Sequence, residues 1–275
     1  MIREARARLF AVVFYLLTAL FLIIGSPLLF APRRWAMAGL ATHARACLIA
    51  LRLVAGTRVD IRGRENLPNG PCLVVAKHQS AWETFALIPL LHDPAIVMKS
   101  ELTRIPLYGW FCRKFEHILV ARDRRAAALK SLVADAKDRV AVGRQVLIIA
   151  EGTRRAPGAP PAYKPGYLAL YHGLDLPTVP LALNSGVYWP ARSARSYPGT
   201  IIVDIAPPIA PGLDRRAAAD AIVTAIETRA TALLPPDHPA ASPTAAHARN
   251  NTGPDDSPPR ITQGIARPPA HSESS

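Results

Sequence analysis

The sequence has few cysteines, few aromatic residues and few acids. Three cysteines, Cys47, Cys72 and Cys112, are spread over 275 residues. Their odd number, wide separation and lack of a C-x-x-C spacing argue against a disulfide framework and a cysteine zinc site. They read as small buried hydrophobes and fit a reducing compartment. Aromatic residues make up 7% of the chain. No basic–aromatic strip or recognition motif stands out, so nucleic acid is not expected as a partner. Only 19% of residues are charged, against 50% hydrophobic, which excludes a disordered chain as a whole. Neither a serine nucleophile elbow nor a Cys–His pair is evident, so a covalent enzyme intermediate is not called for.

What the chain does hold is positive charge. Lys and Arg number 33 against 20 acids, a formal net charge of +13 with a pI near 10.3. Such a balance favours anionic partners: anionic lipid or a phosphorylated substrate. The length suffices for one large domain with a generous core.

Residues 9–31, LFAVVFYLLTALFLIIGSPLLFA, carry no charge, and a run of that length can cross a bilayer as a helix. Arg3, Arg6 and Arg8 precede it, and Arg33 and Arg34 follow. Gly25-Ser26-Pro27 predicts that the helix bends or ends there. The basic start also suits a signal peptide, but no A-x-A-like cleavage site follows the apolar core. Residues 35–55 form a second helical stretch, with Arg45 and Arg52 on one face and Leu48, Ile49, Leu51 and Val54 on another. That pattern suits an interfacial helix. Residues 1–56 are thus expected to be a membrane anchor, either crossing the bilayer or re-entering it. His43 is expected at the surface.

From Thr57 the texture changes. Short apolar runs at 57–63, 71–77, 95–99, 117–121, 145–150, 177–183 and 200–206 alternate with helical stretches, among them 81–91, 124–143, 167–173 and 214–234. The expected fold class is α/β, a mixed β-sheet flanked by helices over residues 57–234, with an N-terminal membrane-anchoring segment. In such folds active residues gather where strands end. Residues 235–275 hold nine prolines and little apolar periodicity, which predicts a disordered Pro-rich tail. Its three arginines and four acids nearly cancel, so the excess positive charge belongs to the folded part, which favours anionic membrane lipids.

Chemistry is concentrated in KHQSAWETFAL, residues 77–87. Ser80-Ala81-Trp82-Glu83 matches a capping box, with Ser80 as N-cap and Glu83 reaching back to its amide. His78 stands at the strand end, before that helix. If the chain folds it back over the first turn, Glu83 fixes its tautomer, and the other ring nitrogen becomes a general base. The two readings are compatible, because a carboxylate has two oxygens.

A second stretch, IIAEGTRR at 148–155, ends an apolar run in Glu151-Gly152-Thr153-Arg154. Gly152 permits a tight turn, and Arg154 offers a planar fork for phosphate; the alternative is a turn with a surface ion pair. Lys99 and Arg122 end two other strands. With Arg154 they are candidates to converge on one phosphate. His92, His117 and His172 have no evident catalytic partner.

In order, His-x4-acid, K-S-E-L…I-P…G, a strand ending in Arg, E-G-T-R and V-P resemble the 1-acyl-sn-glycerol-3-phosphate acyltransferase family over about residues 57–210. The resemblance implies a glycerolipid acyltransferase-like fold and catalysis by His78 with Glu83, which stands where the family usually has aspartate. It implies phosphate binding by Lys99, Arg122 and Arg154, with support from Glu151, Gly152, Thr153 and Pro180. Ala150 replaces the usual proline before Glu151, and Arg155 the usual serine after Arg154. The implied reaction moves an acyl chain from acyl-CoA or acyl-carrier protein, as co-substrate, to the 2-hydroxyl of lysophosphatidic acid. The product is phosphatidic acid, for phospholipid biosynthesis, and no metal or other cofactor is needed. The implied setting is the inner (cytoplasmic) membrane, with the catalytic domain facing the cytoplasm. Two alternatives remain: an acyltransferase acting on another lysolipid, such as lyso-ornithine lipid, and a non-catalytic module that binds anionic lipid.

Overall fold

The computed structural model describes residues 1–121 and 125–239. Helix α1 (Ile2–Ile24) stops at Gly25, and a 3-10 turn (Ser26–Leu29) reverses the chain into α2 (Arg33–Ala50). A π-turn (Leu51–Ala55) extends α2 until Gly56, whose φ of 80° admits the left-handed exit. Both helices are long and apolar enough to cross a membrane by length and composition. On α1, Ala7 and Phe10 are buried, and Phe14, Leu17 and Phe21 pack beside them. Leu9, Val12, Leu16, Leu20 and Ile23 form a second apolar stripe that stays exposed. A helix apolar on both faces has no face made for water. Arg6 Nε donates to the Val54 carbonyl at 2.8 Å and closes the hairpin on itself, while Arg33 ties it to the body by bonding Asp93 twice, at 2.7 and 2.6 Å.

Seven strands follow: β1 (Thr57–Arg62), β2 (Leu73–Ala76), β3 (Ala95–Lys99), β4 (Ile118–Val120), β5 (Val146–Ile149), β6 (Thr178–Leu183) and β7 (Gly199–Ile205). They form one mixed sheet in the order β1-β7-β6-β2-β5-β3-β4. The run β6-β2-β5-β3-β4 is parallel throughout; β7 turns antiparallel to β6, and β1 runs parallel to β7. The interleaved helices are α3 (Glu83–Ala86), α4 (Tyr108–Lys114), α5 (Arg125–Ala141), α6 (Gly166–Leu174), α7 (Ser185–Tyr188) and α8 (Arg215–Ala232).

Strand β2 reads Leu-Val-Val-Ala because it is buried on both faces, as parallel central strands are. Val74 and Ala76 pack on the side of α2 and α3, and Leu73 and Val75 on the side of α5, α6 and α8. The helix expected over 81–91 is shorter. It is one turn, α3, followed by a 3-10 turn at Ile88–Leu90, and Pro89 lies in the break. His43, expected at the surface, is half-buried. It stacks on Phe21 at 4.9 Å and lies 3.3 Å from Thr18 Oγ1. The tail beyond residue 239 lies outside the described residues.

Candidate active site

The parallel register brings the chemistry-bearing residues to one edge. Ala76 stands beside Ile149, and Lys99 beside Val120. The carboxyl ends of β2, β5, β3 and β4 therefore lie side by side, and His78, Glu151 and Lys99 leave the sheet there. Arg122, two residues past β4, lies outside the described residues.

His78 folds back over the first turn of α3. Its Nδ1 lies 2.9 Å from Glu83 Oε1. A carboxylate accepts, so Nδ1 carries the proton and Nε2 carries the lone pair. Only half of the expected capping box forms: the Gln79 and Ser80 amides donate to Glu83 Oε1 at 2.6 and 2.7 Å, but Ser80 Oγ accepts from the Trp82 amide at 3.1 Å and the helix itself starts later, at Glu83. One oxygen thus caps the turn and orients the imidazole. Glu83 is fully buried, while the His78 side chain keeps 13% exposure. The His78 ring therefore reaches the surface, while the Glu83 carboxylate is shielded from water.

Glu151 is fully buried too, which removes the reading of a surface ion pair. Its Oε2 accepts the His78 amide at 3.0 Å, and the His78 carbonyl accepts the Arg155 amide at 2.8 Å. The turn after β5 therefore holds the backbone of the histidine. Gly152 takes φ 62° within that turn, a conformation costly for a residue with a Cβ. Thr153 and Arg154 project outward and are exposed, as is Lys99 at the end of β3. Pro180 sits away from this edge, in the middle of β6 beside Val75. Its carbonyl accepts from the Ala206 amide, one residue past β7, so its missing N–H falls where that ladder has ended.

Three side chains of the site had not been singled out. Lys77 continues the alternation of Leu73 and Val75, so its chain goes to the α8 side. Only 1% exposed, it sits 2.6 Å from Glu227 Oε1 and 3.5 Å from Glu151 Oε1. The Tyr163 hydroxyl donates to the same Glu227 oxygen at 2.8 Å, and burial first, then Glu227, raises that phenol. This buried cation neutralises the carboxylate that holds the His78 amide. The third is Ser185, in α7, whose Oγ donates to Glu83 Oε2 at 2.9 Å. The period-2 pattern of β2 was a usable signal for Lys77; Ser185 had none.

The three cysteines are buried and unpaired. Burial pushes the Cys72 thiol up to about 12 and the Cys112 thiol up to about 11, so neither offers a ready thiolate. Among the described residues no group of three or more His, Cys, Asp or Glu is placed to hold a metal ion.

Residues 58–184 match the family model described as Acyltransferase. Over that stretch the chain is similar to this family. It is 40% identical over 156 residues to the 1-acyl-sn-glycerol-3-phosphate acyltransferase of Pseudomonas aeruginosa, covering 57% of this chain and 61% of that one. To the human 1-acyl-sn-glycerol-3-phosphate acyltransferase alpha it is 26% identical over 168 residues, covering 60% of this chain and 59% of that one. The chain thus spans less than two thirds of the length of these curated relatives. The crystal structure of the 1-acyl-sn-glycerophosphate (LPA) acyltransferase PlsC from Thermotoga maritima superposes with a TM-score of 0.71. It is 20% identical, and the match covers 84% of this chain and 97% of that chain. That likeness establishes the acyltransferase fold, with its mixed sheet and flanking helices.

Proposed function

We propose that this protein is an acyltransferase that moves an acyl chain from a thioester, acyl-CoA or acyl-carrier protein, to the free 2-hydroxyl of 1-acyl-sn-glycerol-3-phosphate. The observation that carries the proposal is the His78–Glu83 pair at the carboxyl edge of the sheet, with its Nε2 uncommitted. Nε2 takes the hydroxyl proton as the oxygen attacks the thioester carbonyl. The C–O bond forms, the C–S bond breaks, and the departing thiolate recovers the proton from His78. No covalent enzyme intermediate, metal or other cofactor enters. Lys99, Arg122 and Arg154 are assigned to the acceptor phosphate, where positioning the hydroxyl near His78 is worth more than affinity alone. Glu151, Gly152 and Thr153 shape the turn that supports the histidine.

The outward apolar stripe of α1 and the net positive charge support a place on an anionic membrane, with lysophosphatidate arriving from the lipid phase. The cytoplasmic face of the inner membrane is the setting that supplies both acyl donors.

The test is a transfer assay with purified protein in nanodiscs. It crosses palmitoyl-CoA and palmitoyl-acyl-carrier protein with lysophosphatidate and lyso-ornithine lipid. Phosphatidate formation is expected. Turnover confined to the phosphate-free acceptor would overturn the assignment of the cations. Lipid binding without any turnover would leave only a binding module.

A further inference from the structure

The fully buried Glu83 carboxylate sets the problem. A buried anionic oxygen without a donor is costly. Glu83 Oε1 takes three donors: the His78 ring and the amides of Gln79 and Ser80. Glu83 Oε2 takes one, the Ser185 hydroxyl at 2.9 Å. Among the described residues that hydroxyl makes no other hydrogen bond, and Ser185 is itself fully buried.

Ser185 is held from three sides. Asn184 before it accepts from the Ile202 amide at 2.8 Å and donates to the Leu233 carbonyl at 3.0 Å. Gly186 after it donates its amide to Gln79 Oε1 at 3.1 Å. A Cβ at position 186 would lie 2.9 Å from the Gln79 Cβ and 3.0 Å from Pro157. No larger residue lets α7 close this tightly on the residue after the histidine. On the far side the Trp189 amide donates to the Ser185 carbonyl at 2.8 Å. The Trp189 ring meets Phe10 and Phe14 of α1 edge-on, at 5.2 and 5.3 Å.

We propose that Ser185 is a positioning residue of the acyl-transfer reaction: its hydroxyl fixes the rotation of the Glu83 carboxylate, and through it the tautomer and aim of His78. The assignment rests on the acyl-transfer reading above. Without the hydroxyl, Oε2 is left bare in a dry site. The carboxylate then turns to find a donor, and its bond to Nδ1 loosens. The length of Glu83 belongs to the same arrangement, because this carboxylate spans from the His78 ring on one side to α7 on the other.

The experiment compares wild type, Ser185→Ala, Ser185→Thr, Glu83→Gln and the double variant Glu83→Gln/Ser185→Ala. Ser185→Ala is expected to lower kcat about tenfold with KM for lysophosphatidate within twofold, while the melting temperature falls by only a few degrees. Ser185→Thr keeps the hydroxyl and recovers most of the rate; if its methyl group unfolds the protein, Ser185→Cys takes its place. In a Glu83→Gln background, Ser185→Ala is expected to add little, since its route to His78 is already cut. Histidine 15N spectra of the unliganded protein read the tautomer without any turnover. The fraction of His78 with its proton on Nδ1 falls in Ser185→Ala. Wild-type kcat in Ser185→Ala overturns the proposal, as does a loss that multiplies fully with that of Glu83→Gln. An unchanged tautomer overturns it even if the wild type proves inactive with every acceptor, a result that would sink the acyl-transfer reading separately.

Discussion

Two histidines stand at opposite edges of the sheet. His78 follows β2 at the carboxyl edge, and His117 precedes β4 at the amino edge. Each has a carboxylate nearby, yet only His78 is paired with its own. Glu83 gives an oxygen to His78 Nδ1. Asp93, the acid near His117, has both oxygens bound by Arg33 at 2.7 and 2.6 Å. Burial would raise the Asp93 carboxyl, but the bonds from Arg33 and the charge of Arg144 outweigh it and hold it below its usual range. His117 Nδ1 instead faces the Ile96 amide at 3.4 Å, a long contact in which the ring can only accept. Burial first, then the charge of Arg144, pushes His117 down to about 3 against the weaker pull of Asp93. What makes a histidine a base here is which group its neighbouring carboxylate is committed to, not that one is near.

The sharpest break in this comparison is His78→Ala. It is expected to lower kcat about 10³-fold, the scale of a lost general base, with the melting temperature within a few degrees of wild type. Near-normal transfer by this variant would remove the proposed mechanism.

The amino edge should answer in the opposite way. Arg144 is fully buried and donates to the carbonyls of Asp93, Pro94, Phe115 and Glu116 at 2.9–3.2 Å. Two of those carbonyls belong to left-handed residues, Asp93 at φ 42° and Glu116 at φ 54°. Arg144→Met strands the carbonyls of Asp93, Pro94 and Phe115, leaves that of Glu116 to Arg139 Nε at 3.0 Å, and removes a cation 3.6 Å from the Asp93 and Glu116 carboxylates. A stability loss of about 3 kcal/mol is expected, read by chemical denaturation, while kcat of the folded fraction stays within twofold. A loss of kcat at wild-type stability would show that the two edges are not independent.

The contrast also explains what could be read from the sequence. The seven strands were legible, because β2 to β7 are short apolar runs and β1, TRVDIR, alternates apolar with charged residues. The His78–Glu83 pair was legible as one of two compatible readings, because a histidine at a strand end can fold back over the turn that holds Glu83. Arg144 was not, since an arginine between Gly143 and Gln145 reads as a loop residue, and full burial of arginine is rare. Ser185 lies in LNSGVYW, which has no period; its link to Glu83 spans 102 residues and exists only because β6 lies beside β2. The phosphate site was legible only as candidate cations. Lys99 and Arg154 reach the expected edge, and Arg122 falls outside the described residues.

A smaller effect is expected from shortening the orienter. Glu83→Asp keeps the charge but draws the carboxylate back by one methylene. It can then satisfy the His78 ring or the Ser185 hydroxyl, but not both at their present distances. About a tenfold fall in kcat with little change in KM is expected. Unchanged kcat would mean that the carboxylate needs only one of those two partners.

The smallest effect tests His117 itself. An unfolded histidine takes up its proton near pH 6.5, whereas the folded ring resists it down to about 3. Between those values the unfolded chain binds more protons than the folded one, so stability falls as the pH falls through that window. Above it His117 is neutral in both states and contributes no slope. His117→Gln keeps a neutral acceptor for the Ile96 amide and removes the titration. Its melting temperature should therefore fall less than that of wild type between pH 6.5 and pH 4, with the two curves parallel above pH 7. The surrounding carboxylates titrate in both proteins and cancel in the difference. Equal slopes below pH 6.5 would show that the folded ring takes up its proton as readily as the unfolded one. His117 would then differ from His78 only in position, and the commitment of Asp93 to Arg33 would explain nothing.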